Sequence, residues 1–256
     1  MRQHSWDRVS CRRWVGFTLS VLTAATGVVA LGQDSSGSTR ISYEGTVAAT
    51  RIGLTLIVKP DNTLSGGHYF YARYLTDIPL TGAMQPGAVM LKGQDGGSFE
   101  LKFKGNGSEA GKPLNFNNSV GLEGTWSKEG KSLPVKLEVG GSAPAGGRWY
   151  ENVSDESDAA FEARAQGFYK AVLAGNRAAA AKYVAFPLRV NQNGKSRTIR
   201  SSAELAAHWD SIFTTAYLDA LKQDLPHDMG VAQGQAMLGA GDVWFGARGA
   251  TALNVP

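Results

Sequence analysis

Between Ile41 and Val139 apolar and polar positions alternate in short runs. Phe99-Glu100-Leu101-Lys102-Phe103 and Val135-Lys136-Leu137-Glu138-Val139 take turns residue by residue. That is the period of a strand with one face buried and the other in water. Gly, Pro, Asn and Asp interrupt these runs at about ten-residue spacing. The spacing predicts strands over 41–48, 52–59, 66–73, 78–81, 88–92, 98–103, 119–126 and 133–139. Lys59-Pro60-Asp61-Asn62 and Asp95-Gly96-Gly97 supply turn residues between them. The expectation is an N-terminal all-β domain over 41–139, an antiparallel meander or barrel.

Beyond Ser154 the period changes. Phe161, Ala165, Phe168 and Val172 recur at helical spacing, with Ser154 as the expected N-cap and Asp155, Glu156 and Asp158 in the first turn. Gly175-Asn176 ends the run, and a short alanine-rich helix over 177–184 follows. Phe186-Pro187-Leu188-Arg189-Val190 reads as a strand, turned at Gln192-Asn193-Gly194-Lys195 into a second over 197–199. Ser201 and Glu204 form a capping box for a helix carrying Leu205, Trp209, Ile212 and Phe213, and helix continues to about residue 223. Strands are expected over 235–238, 243–246 and 251–255. The predicted C-terminal domain, 155–256, is an α+β cone: a curved antiparallel sheet packed on a long helix. Residues 140–154 (GGSAPAGGRWYENVS) have no period and read as the linker, with Trp149 and Tyr150 docking on one domain.

Four stretches carry a family resemblance: Phe168-Tyr169-Lys170-Ala171-Val172, Phe186-Pro187-Leu188-Arg189-Val190-Asn191, Trp209-Asp210-Ser211-Ile212-Phe213, and Met237-Leu238-Gly239-Ala240-Gly241-Asp242-Val243-Trp244-Phe245. With the element order they resemble the nuclear-transport-factor-2-like fold, as in the C-terminal half of exported bacterial proteins. Enzymes of that fold use an Asp, His or Tyr inside the cone for acid–base work. The resemblance therefore makes His208, Asp210, Tyr217 and Asp228 the pocket candidates, without a residue-by-residue match to isomerase or dehydratase motifs. The β-rich half resembles no named family.

Charge changes the picture once the N-terminus is read. The 256 residues carry Lys+Arg 26 against Asp+Glu 22, a net charge of +4. Arg2, Arg8, Arg12 and Arg13 precede a mostly apolar run from Trp14 to Leu31, which ends in Ala30-Leu31-Gly32. Basic, apolar and small-x-small regions in this order predict a secretory signal peptide over 1–32, followed by a Ser/Gly tether over 33–40. A retained membrane anchor is the competing reading, opposed by Gly16, Thr18, Ser20, Thr23, Thr26 and Gly27 within the run. Cleavage takes four of the 26 basic residues and one of the 22 acidic ones, so the net charge falls from +4 to +1. No basic stripe remains to neutralise phosphates, which argues against a nucleic-acid partner. The same cut removes Cys11, the single cysteine, and with it any disulfide, thiol nucleophile or thiolate ligand.

Three histidines remain. His68 lacks a carboxylate at a diagnostic spacing and reads as an edge or surface residue. His208 and Asp210, two apart on a helix, point in different directions and cannot form a dyad. His227-Asp228 follows Pro226 and reads as a common loop turn. Gly105 to Pro113 imitates a phosphate loop but has Pro113 where a magnesium-binding hydroxyl belongs, and no metal-ligand spacing appears, so neither metal nor cofactor is expected. Tyr69 and Tyr71 alternate with Phe70, so either the two tyrosines or Phe70 faces outward, to offer an exposed aromatic face or to pack against the second domain. The expected function is an exported, periplasmic or extracellular binding or accessory role toward a protein, glycan or small ligand. Membrane contact is expected only through an uncleaved signal segment, and self-pairing through the C-terminal sheet is a further expectation. A cofactor-independent lyase, isomerase or hydrolase, and an inhibitor or immunity-type partner of a toxin or envelope hydrolase, are the alternatives.

Overall fold

The computed structural model describes residues 37–85, 87–108 and 111–256. The signal segment read over 1–32 and the first part of the tether lie outside the described residues. Eight strands run in an antiparallel meander: β1 (Thr39–Val47), β2 (Thr50–Val58), β3 (Leu64–Tyr71), β4 (Ile78–Gln85), β5 (Ala88–Gly93), β6 (Ser98–Lys104), β7 (Gly121–Lys128) and β8 (Lys131–Pro144). Each pairs with the next, and β8 returns to β1 to close a barrel. Closure pairs both edges of the sheet. Alternation decides which side chains enter the interior: Tyr43, Ile52, Leu54, Leu56, Phe99 and Leu101 fill it, while Glu100, Lys102, Lys136 and Glu138 face water.

All eight expected strands are present, with one informative difference in extent. β8 runs on to Pro144, so Gly141 and Ser142, read as the start of the linker, are strand paired with β1, and Gly140 sits at the register shift before them. Glycine has no side chain to carry the alternation, so the period stops at Val139 while the hydrogen bonding continues.

The second half contains α1 (Asp158–Leu173), α2 (Arg177–Ala181), β9 (Val184–Gln192), β10 (Lys195–Ile199), α3 (Ser202–Ala207), α4 (Trp209–Ile212) and α5 (Thr215–Leu221). It ends in β11 (Gly230–Ala232), β12 (Gln235–Leu238), β13 (Val243–Gly246) and β14 (Gly249–Val255). Six strands form one sheet in the order β10-β9-β14-β13-β12-β11. The sheet is mixed, where an antiparallel one was expected, because β14 pairs with β9 in parallel. Three helices and three strands separate β10 from β14, so no tight turn forces the chain to return antiparallel to β9.

The N-cap of α1 is Ser157 rather than Ser154; its side chain accepts from the Ala160 N–H. At the other end Gly175 adopts φ +65°, donating to the Val172 carbonyl, while Asn176 donates to Ala171. This pair of bonds satisfies carbonyls that the helix leaves open, and the left-handed conformation is one glycine reaches without a steric cost. Aromatic side chains fill the space between helices and sheet: Phe168 meets Phe245 edge-on at 5.7 Å, and Phe213 stacks on Tyr217 at 6.0 Å. Tyr150, from the stretch read as a linker, is fully buried in this second core.

The described residues belong to one compact unit that holds both cores. Among them, no helix is long and apolar enough to cross a membrane.

Candidate functional site

Tyr69 points into the barrel and is 0% exposed. Its neighbours His68 and Phe70 must therefore point outward, and so does Thr55, the partner of His68 on β2. The Phe70 ring lies over Gly53, where a Cβ would stand 2.2 Å from the ring. That absent side chain lets Phe70 lie flat against the barrel wall and meet the His227 ring edge-on at 4.4 Å. The loop after β3 brings Asp77. From the second half come Tyr150, Glu162 near the start of α1, and His227-Asp228 in the loop between α5 and β11.

These side chains form one network. His227 donates from Nε2 to Asp77 Oδ1 at 2.8 Å and from Nδ1 to Glu162 Oε2 at 2.5 Å. His68 Nε2 donates to Asp228 Oδ2 at 2.5 Å, and Thr55 Oγ1 donates to the same oxygen at 2.9 Å. The Tyr150 hydroxyl donates to Glu162 Oε1 at 2.7 Å, the Asp228 N–H donates to that oxygen at 2.9 Å, and the Met229 N–H donates to the Tyr150 hydroxyl at 2.9 Å. The side chains of His227, Asp228 and Glu162 are only 9%, 10% and 11% exposed.

Burial by itself would lower the pKa of His227 and is the largest single influence. The hydrogen bonds to Asp77 and Glu162 and the nearby negative charges together outweigh it and hold the imidazole up at about 10. For His68 burial also pulls down, but the bond and charge of Asp228, with Asp77 behind them, raise it. Burial would raise Asp77, yet the two histidines hold it below the ordinary carboxylate value. The Tyr150 hydroxyl is pushed well up, first by burial and then by the charge of Glu162. With its pKa held at about 10, the His227 imidazole is a cation at neutral pH.

A groove borders this network. The Arg40 guanidinium stacks over the Trp149 ring, 4.2 Å from its centre, and the indole is fixed by a 2.8 Å bond from Nε1 to the Met229 carbonyl. Three cavities share this pair. One of 220 Å³ reaches Glu44, His227 and Asp228, one of 250 Å³ reaches Thr55 and His68, and an open one of 820 Å³ reaches Asn152. Arg40 Nε is buried without a hydrogen-bond partner. No ion pair among the described residues involves Arg40. Below the groove, Asp224 faces Asp242. Burial first, and then the charge of Asp242, push its pKa up to about 7, and burial also raises Glu44.

The residues singled out from sequence fare differently. Asp228 belongs to the network; the other three cone candidates do not join it. His208 is exposed and its Nδ1 lies 3.4 Å from Arg197. Asp210 is 82% exposed and pairs with Arg177 at 2.7 Å. The Tyr217 hydroxyl is spent on the Asp242 carbonyl at 2.6 Å. An exposed ion pair of this kind contributes little, so Asp210→Ala is expected to change the unfolding free energy by less than about 0.5 kcal/mol. Urea denaturation checks this, and a loss above about 2 kcal/mol would contradict the exposed placement. The exposed face expected of Tyr69 and Tyr71 is corrected as well. Tyr69 lies in the barrel core, Tyr71 packs against that core, and Phe70 takes the outward side under His227.

His68 and His227, which sequence reasoning set aside, are central. Their carboxylate partners Asp77, Glu162 and Asp228 come from three separated segments, so no local spacing reveals them. One signal was present: Glu162 directly follows Phe161 on the apolar stripe of α1, and a carboxylate buried on such a stripe requires a partner. Among the described residues Glu162, His227 and Asp228 also offer ligand atoms within 4.8 Å of one another, a grouping that could hold a metal ion. No family model, no curated protein and no solved structure matches this chain.

Proposed function

We propose that the protein is exported and acts as a binding protein, taking a small anionic ligand in the groove at Arg40 and Trp149. The observation that carries the reading is the Arg40 guanidinium: a permanent cation with a buried, unpartnered Nε, stacked on an indole where three cavities meet. A buried donor left without a partner costs about 1–3 kcal/mol, more when charged, and a carboxylate or phosphate group on a ligand would offset that cost. Trp149 would provide the apolar surface beside it. Export rests on the basic, apolar and small-residue order of the first 32 residues. For the C-terminal half, a helix-first order and a sheet lying on α1 support a nuclear-transport-factor-2-like cone.

The enzymatic alternative required a polar pocket within that cone. The aromatic packing of Phe168, Phe213, Tyr217 and Phe245 in the second core favours the groove over that reading. A thermal-shift series with acetate, citrate, phosphate and small aromatic carboxylates tests the binding reading. Stabilisation by at least one of these anions is expected in the wild-type protein and is expected to vanish in Arg40→Met. Anions that shift both proteins equally, or neither, would overturn it.

A further inference from the structure

Glu162, His227 and Asp228 each hold one donor atom toward the others, and each is hydrogen-bonded from outside the trio. His227 Nε2 is held by Asp77 at 2.8 Å, which leaves Nδ1. Glu162 Oε1 is held by the Tyr150 hydroxyl at 2.7 Å, which leaves Oε2. Asp228 Oδ2 accepts from Thr55 at 2.9 Å and His68 at 2.5 Å, so this carboxylate too is braced from outside the trio. Metal-ligating histidines characteristically rest their far nitrogen on a carboxylate or carbonyl, and ligating carboxylates are themselves hydrogen-bonded; such partners fix the ligand orientation. Hydrogen bonding among the three residues would not require Asp77, Tyr150, Thr55 and His68 to brace every ligand from behind. The 220 Å³ cavity, lined by His227 and Asp228, supplies an entry path and room for water.

We propose that Glu162, His227 and Asp228 form a binding site for a divalent first-row transition ion such as Zn²⁺. One imidazole and two carboxylates hold the ion, with its remaining positions open to the cavity. The imidazole shifts the preference from magnesium and calcium toward zinc-like ions, and the lack of thiolate disfavours copper(I). His227 Nδ1 donates its proton to Glu162 Oε2 across 2.5 Å, and on binding that proton passes to solvent. The ion replaces that proton. Two ligands about 2.0–2.1 Å from a tetrahedral ion stand about 3.3 Å apart, so the two groups separate by less than ~1 Å on binding. No spacing in the sequence announces this site, because Glu162 lies on α1 and the other two ligands lie in a loop beyond α5. The site shares the 220 Å³ cavity with the anion groove, but neither its ligands nor its test involve Arg40.

Chelator-treated protein is titrated with Zn²⁺ by calorimetry and with Co²⁺ by visible absorption. One ion per chain is expected, with Co²⁺ bands of a site having fewer than six ligands. Asp77→Asn, which removes a positioning residue and no ligand, is expected to weaken Zn²⁺ binding about 10–100-fold, and His227→Ala to weaken it further. Absence of binding, or binding retained in a folded His227→Ala protein, overturns the site. If His227→Ala does not fold, the wild-type protein decides through its Co²⁺-shifted proton spectrum. Resonances of one coordinated imidazole support the site, and their absence rejects it.

Discussion

Glu162→Ala is expected to lower the unfolding free energy by about 3–5 kcal/mol, the range found when one partner of a buried ion pair is removed. Glu162 is buried nearly as deeply as the apolar core, and it serves three groups at once. Its loss strands the Tyr150 hydroxyl, the Asp228 N–H and the His227 Nδ1 proton. Tyr150 and Asp228 are themselves enclosed, so water cannot fully replace the lost acceptor. Because the network joins β3 and its following loop to α1 and the loop before β11, the barrel and the second sheet are expected to unfold in one transition in the wild-type protein. Urea denaturation followed by tryptophan fluorescence and circular dichroism measures both quantities. A loss below about 1 kcal/mol would mean that the network contributes little to joining the two cores.

The second large effect concerns pH. Asp224 has its pKa raised from an ordinary 3.8 to about 7, first by burial and then by the charge of Asp242. The folded protein holds the Asp224 proton more tightly than the unfolded chain does. Its contribution to stability is therefore fully present below pH ~4 and is lost as pH rises through ~7. The carboxyl is only about half buried, so screening by solvent reduces the difference to about 1–2 kcal/mol. The other titrating groups also bend the stability curve, so the test is the difference between wild type and Asp224→Asn. That substitution keeps the shape but cannot ionise. The variant is expected to gain on the wild type steadily between pH 4 and 8. A constant difference across this range would show that Asp224 titrates normally.

Most of the barrel is legible in the alternation of its strands, because burying one face of a sheet imposes a period of two on every strand. Legibility ends where side chains stop carrying the period, as in the glycine-rich end of β8. The order of helices and strands in the second half is readable apart from the three-residue β11, which was not expected, whereas the parallel pairing of β9 with β14 is not, since pattern fixes which face is buried and says nothing of strand direction. The junction was almost invisible. His68 looks isolated in its strand and His227 looks like part of an ordinary turn, because Asp77, Glu162 and Asp228 are brought to them only by the meeting of two cores. Asp228 was singled out, but for a place inside the cone that aromatic packing occupies. Tyr69 was misread because alternation alone does not say which of two neighbouring aromatic residues faces inward; the register with Leu54 and the closure of the barrel decide it.

The most direct test of the junction as the functional site is chemical-shift mapping of backbone amides and of the indole and imidazole groups during titration with citrate and phosphate. Perturbations are expected at Arg40, at the Trp149 indole and at its neighbours His68 and Met229, with the resonances of Phe168, Tyr217 and Phe245 unmoved. Perturbations centred on those three core residues and leaving Trp149 unaffected would contradict the junction and return the site to the cone.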